Sequence, residues 1–209
     1  MARGTWAAFL AAVFYASVAV FQWCEMHTQN ANISRAWVGY QQAKDSNLPV
    51  TIDLVEVVPR VTVEAHYTIE NFGNGPAIKV IPEFLVETDN DLATLKAAAA
   101  SICSSAVKFA SGTVPYTDAS TNPGRMGFTL FPRQTYIDAR PWNEDAKPEL
   151  RWMYVMGCVA YLDQFKSPHW TRFVVLIGDG KSAISNASPR KLYTLFNDTD
   201  ETSEKDQFK

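Results

Sequence analysis

Asp163 and His169 are the residues of this chain best suited to proton transfer. They flank the turn-like run Gln164-Phe165-Lys166-Ser167-Pro168 between two apolar arms, which sets them opposite one another across its mouth. A carboxylate beside an imidazole, with a nucleophile in reach, makes a hydrolytic triad. The chain has no Gly-x-Ser-x-Gly elbow to present that nucleophile. The bland alternative is a carboxylate–imidazole pair that ties down a loop, and the absence of a nucleophile favours it. No catalytic residue is therefore assigned, and a hydrolase using Asp163 and His169 is kept as the alternative.

Other combinations carry less. Gly180-Lys181-Ser182 follows a strand, as a phosphate-binding loop does, but that loop needs a glycine where Val175 stands. A polar turn is the expectation. His27, His66 and His169 are too dispersed for a metal set, and no H-E-x-x-H or Cys-x-x-Cys occurs. His66 falls on the outward face of an alternating strand. Asp89-Asn90-Asp91 lacks the spacing of a calcium loop and suits a helix cap. No metal or other cofactor is expected. Cys24, Cys103 and Cys158 show no paired spacing; Cys158 reads as a small buried hydrophobe, and one disulfide is allowed without being placed. Asn32-Ile33-Ser34 and Asn197-Asp198-Thr199 fit the glycosylation pattern. A formal net charge of -3 without a basic block argues against nucleic acid as a partner. Trp37, Tyr40 and the loop 111–125 are the candidates for a binding surface, although core packing explains the two aromatics equally well.

The elements that must position these residues are mostly strands. Trp152–Leu162 and Trp170–Ile177 are apolar on both faces, so this hairpin should lie centrally and be covered on both sides. Val61, Val63, Ala65, Tyr67 and Ile69 alternate with Thr62, Glu64, His66, Thr68 and Glu70, the mark of a half-buried strand. Ala36–Tyr40 and Leu48–Val58 supply strands before it. The turn 71–77 leads into Ile78–Glu87, where Pro82 calls for an edge position or a bulge. Leu92, Leu95, Ala99, Ile102, Ala106 and Phe109 recur at helical spacing and predict a helix near 91–109. Met126–Phe131 and Gln134–Ile137 are short strand candidates, followed by a charged linker, Pro141–Pro148. Lys191–Phe196 is a last strand candidate, and 197–209 is a charged tail expected to be disordered.

The N-terminus is of a different kind. Thr5–Trp23 holds no charged residue, and its nineteen positions approach the roughly 20 that a membrane-spanning helix needs. Trp6 and Trp23 stand near its ends, where interfacial aromatics belong. Arg3 precedes the run, Glu25 follows it and the next basic residue is Arg35, which directs the C-terminal part outward. A cleaved signal peptide ending at Ser17-Val18-Ala19 is the rival reading. Trp23 is too bulky for a lipid-attachment box at Cys24.

Together these readings predict residues 1–4 in the cytoplasm, a transmembrane anchor at 5–23, a polar spacer at 24–34, an exported β domain at 35–196 and a tail at 197–209. Arg35-Ala36-Trp37-Val38-Gly39, Asn71 with Gly73 and Gly75-Pro76-Ala77, and the series Gly157, Tyr161, Asp163, Phe165, His169, Thr171, Arg172, Phe173 carry a likeness. On them the chain resembles a group of uncharacterised bacterial membrane-anchored proteins with one N-terminal span and an exported β domain. Two positions depart from that group, Lys166 where it has glycine and Val174 where it often has cysteine, and the spacer is shorter than its helical one. The resemblance implies an inner-membrane, single-pass protein with its C-terminal domain periplasmic or extracellular, and no activity. The Asn…Gly-x-Pro-Ala turn is similar to that of immunoglobulin-like domains. The expected fold is therefore mainly β: an immunoglobulin-like β-sandwich with one inserted α-helix, preceded by a single transmembrane helix, with an open barrel as the alternative. The expected function is a non-catalytic binding or scaffolding module of the envelope, partnered by the bilayer through 5–23 and by an envelope protein.

Overall fold

The computed structural model describes residues 2–42, 48–57, 60–89, 91–113, 127–144 and 150–192, with backbone alone at 2–8, 11, 27–28, 31–32, 55–57, 60–61 and 140–144. It falls into two units, Met1–Arg35 and Ala36–Lys209.

The first unit is one helix, α1 (Ala2–Ile33), 32 residues long. It takes in the charge-free run and continues through the stretch expected as a polar spacer. Phe14, Tyr15, Phe21 and Trp23 are 72%, 80%, 78% and 64% exposed. With Val13, Val18 and Val20 they are distributed round the whole helix at 3.6 residues per turn, so no polar stripe interrupts them. Among the described residues no helix is long and apolar enough to cross a membrane; the side chains of residues 5–8 and Ala11 of the charge-free run lie outside that set.

The second unit is mainly β. Its first sheet centres on β3 (Arg60–Asn71), where the predicted alternation is realised: Val63, Ala65, Tyr67 and Ile69 are buried. One edge of β3 pairs with β2 (Val50–Val57) along its first part and with β1 (Val38–Tyr40) at its end, and its other edge pairs with β6 (Thr135–Glu144). The second sheet has the order β5-β4-β7-β8-β9, comprising β4 (Ala77–Glu87), β5 (Phe128–Leu130), β7 (Met153–Leu162), β8 (Pro168–Ile177) and β9 (Arg190–Leu192). Every strand pairing is antiparallel.

The two sheets share one core, to which Ile52, Val63, Tyr67 and Ile69 come from the first and Val80, Val155, Tyr161, Phe173 and Val175 from the second. The helix α2 (Leu92–Ser111) covers the other face of the second sheet, packing Leu95 and Ala99 on Tyr154, Met156 and Val174, and Ala106 and Ala110 on Ile81, Ala160 and Leu162. This layering explains why all ten residues of β7 are buried and why its sequence is apolar on both faces. Gly157 is required at the centre of β7, because a Cβ there would stand 2.3 Å from the Phe173 ring.

Two expectations need correction. The charged run from Pro141 is no linker up to Glu144: β6 continues through Asp138, Arg140 and Pro141, paired to β3 with Glu64 opposite Pro141. As an outer strand it tolerates a proline and a polar composition that the sequence presents as a connection. Cys158 is no free hydrophobe; it is bonded to Cys103 of α2. Leu92 lies in α2 as its spacing predicts, 45% exposed at the first turn ahead of the packed face.

The expectation at Pro82 is met. Register slips between Ile78 and Ile81, and β5 pairs with β4 only up to Val80, leaving Pro82 beyond it. Residues 114–125 of the polar loop, Met126, 145–148 of the linker, 193–196 of the last strand candidate and the tail 197–209 lie outside the described residues.

Candidate functional site

Trp37, Asn71, Gly73, Gly75 and Asp163 lie at one end of the β domain, while Gly157 and Phe173 face each other in the middle of the β7–β8 hairpin. Asn71 ends β3 fully buried, and its amide makes four bonds: Nδ2 donates to the carbonyls of Gly75 (2.8 Å) and Leu130 (2.9 Å), while Oδ1 accepts from the amides of Gly73 (3.0 Å) and Trp37 (3.2 Å). Its backbone carbonyl accepts from Arg133 N–H at 2.8 Å, and its N–H donates to the Gln134 carbonyl at 3.2 Å. Side chain and backbone of this one residue thus tie the β3–β4 turn, the approach to β1, the end of β5 and the β5–β6 turn together. A buried amide with every donor and acceptor used costs little to bury and much to truncate.

The β7–β8 turn is organised in the same way by Asp163. Its Oδ1 accepts the N–H groups of Phe165 and Ser167, each at 2.9 Å, and its backbone pairs with Ser167 and Lys166. Oδ2 lies 3.3 Å from His169 Nε2, with side-chain exposures of 6% for the carboxylate and 11% for the imidazole. The imidazole packs against Tyr161, its register partner, with ring centroids 5.5 Å apart. The two predicted residues do meet, in the geometry of a turn clamp. Lys166 takes φ 65°, the left-handed conformation that favours glycine.

Two further bonds join this hairpin to the other sheet: Tyr161 donates its hydroxyl proton to the Ala36 carbonyl (3.3 Å), and Thr171 donates to the Val38 carbonyl (2.7 Å). Arg172 lies over the Trp170 ring at 5.2 Å. Of the binding candidates, Tyr40 belongs to the core, edge-on to Phe173 at 4.7 Å and near Tyr67 and Phe84. Trp37 remains 40% exposed.

The other motifs resolve into local structure. Asp179 Oδ1 accepts from Lys181 N–H (2.9 Å) and Ser182 N–H (3.3 Å), which makes Gly180-Lys181-Ser182 a polar turn; those two amide bonds hold the carboxyl below its usual value. Asp91 caps α2 by accepting from Thr94 N–H at 2.9 Å. His66 sits outward, 3.4 Å from Asp53 and 3.8 Å from Glu64. Among the described residues no group of three or more His, Cys, Asp or Glu is arranged to hold a metal.

Sequence reasoning did not pair Cys103 with Cys158, because the spacing of 55 residues says nothing until helix and strand are packed. Nor did it single out Asn186. That side chain donates to the Leu54 carbonyl (2.9 Å) and accepts from Leu54 N–H (2.8 Å), extending the ladder beside β2 from within a polar loop.

No protein-family model, curated protein or solved structure matches the chain.

Proposed function

We propose that the chain is a membrane-anchored protein whose β domain is exported and serves as a non-catalytic binding or scaffolding module of the bacterial envelope. The observation that carries this reading is the Cys103–Cys158 disulfide in the β domain of a chain whose helix α1 contains the charge-free run 5–23. Disulfides persist in exported, oxidising compartments and are rare in the cytosol of mesophiles. The charge-free run within α1 has no water-facing stripe and suits a lipid surround. With Arg3 before the run and Glu25 after it, the charge bias directs the β domain outward. The likeness to single-span bacterial envelope proteins supports the same placement, and two packed antiparallel sheets with a buried Asn71 turn support an immunoglobulin-like relation.

The rival, an envelope hydrolase using Asp163 and His169, loses ground on geometry. The two turn amides held by Asp163 account for the carboxylate as a loop clamp, and the imidazole, 11% exposed, offers little access to a substrate.

Binding is tested by capture from detergent-solubilised envelope, with the full chain as bait beside a chain beginning near Ser34. A partner recovered reproducibly by both assigns recognition to the β domain. If neither recovers one, the binding reading loses its support.

A further inference from the structure

We propose that the end of the β domain formed by the β3–β4, β5–β6 and β7–β8 turns docks on the anionic headgroup surface of the bilayer that holds α1. This rests on the membrane-anchored reading above.

Register places the three turns together. Ala77, at the start of β4, pairs with Leu130 at the end of β5, and its neighbour Ile78 pairs with Leu162 at the end of β7. Glu70 near the end of β3 pairs with Thr135, the first residue of β6. Val38 pairs with Asn71, so the chain comes into the β domain at this same end.

Each turn presents one phenylalanine to solvent: Phe72 on β3–β4 (57% exposed), Phe131 on β5–β6 (60%) and Phe165 on β7–β8 (49%). Trp37 adds a fourth ring at 40%. Six large hydrophobics are exposed in the described β domain, and these are four of them; Leu92 and Ile137 are the others. Exposed apolar groups gathered on loops mark an interaction surface, and aromatic rings favour the headgroup level of a bilayer.

The charges beside the rings choose the partner. Arg133 and Lys166 are exposed on two of the turns, while the one carboxylate within the turns, Asp163, is buried. Glu70 lies on the outer face of the first sheet, bonded to the Gln41 side chain. The opposite end exposes Asp89, Asp91 and Asp179 beside Arg151 and Lys181. Rings beside exposed cations and no exposed carboxylate at one end, against three exposed carboxylates and two cations at the other, fit an anionic lipid surface. Asn71 and Asp163 hold the turns rigid, so docking orders little that is not already ordered.

The test uses the full chain with Cys24→Ser and one fluorophore-labelled cysteine at a time, from Phe131→Cys, Asp179→Cys or Phe14→Cys. Each is reconstituted into vesicles of phosphatidylcholine and phosphatidylglycerol in equal parts, with brominated acyl chains as quencher. The expected result is strong quenching at 14, severalfold more quenching at 131 than at 179, and loss of that excess in the Arg133→Glu, Lys166→Glu double variant. Equal quenching at 131 and 179 with 14 quenched overturns docking and leaves the anchor intact. An unquenched label at 14 removes the anchor, and docking with it. An excess at 131 that survives the double variant overturns the choice of an anionic surface.

Discussion

Cys103 on the buried face of α2 is bonded to Cys158 in the middle of β7, with sulfurs 2.01 Å and Cα atoms 5.4 Å apart. It fastens the helical layer to the strand most enclosed by the rest of the domain. The bond joins positions 55 apart, and closing a loop of that size is worth about 4 kcal/mol in the chain-entropy account. The Cys103→Ala, Cys158→Ala double variant is expected to melt on the order of 10 °C lower for a domain of this size. Calorimetry of the two proteins checks it.

Asn71 is the second point on which the domain depends. Asn71→Ala leaves the carbonyls of Gly75 and Leu130 and the amides of Gly73 and Trp37 without their partner. The expected loss is roughly 2–4 kcal/mol in denaturant unfolding. Asn71→Asp keeps the two bonds to Oδ1 but sets a carboxylate oxygen against two carbonyls, so it is no milder. A midpoint within error of the parent for either variant contradicts this role.

At Lys166 the backbone is left-handed, φ 65°. Replacing it with glycine relieves that cost and is expected to stabilise the fold by about 1 kcal/mol. Lys166→Val, β-branched in the same conformation, moves the midpoint the other way. The sign of the two shifts in one denaturation series is the check.

The cap of α2 is sensitive to pH. The Thr94 amide and hydroxyl hold the Asp91 carboxyl below its ordinary value. A depressed folded value means that the stabilisation is fully present above the unfolded carboxylate value and is lost as pH falls through the folded one. Exchange protection at Thr94 N–H should therefore fall on acidification through and below the carboxylate range. Asp91→Asn, a cap without a titrating group, should hold its protection across the same range.

Much of this architecture is legible in the chain itself. The alternation from Val61 to Glu70 announces β3, and the doubly apolar hairpin announces a strand covered on both faces, because periodicity reports local exposure directly. The spacing of Leu95, Ala99, Ile102 and Ala106 gives α2 with its cap. What stays hidden depends on tertiary packing. Pro141 and its charged neighbours look like a linker because an outer strand draws its order from β3. Cys103 meets Cys158 only once α2 lies on β7. Tyr40 reads equally as surface or core until Phe173 is set beside it. Asp163 and His169 were legible as a pair, while the two amides that make Asp163 a turn clamp belong to backbone geometry.

The central claim is that residues beyond α1 lie outside a membrane that α1 holds. It is tested most directly by expressing the full chain in a bacterium, exposing intact spheroplasts to protease and washing membranes with alkaline carbonate. The account predicts a chain that stays with the membrane through the wash and loses its β domain to protease without cell lysis. Release by the wash, or a β domain protected until lysis, contradicts it.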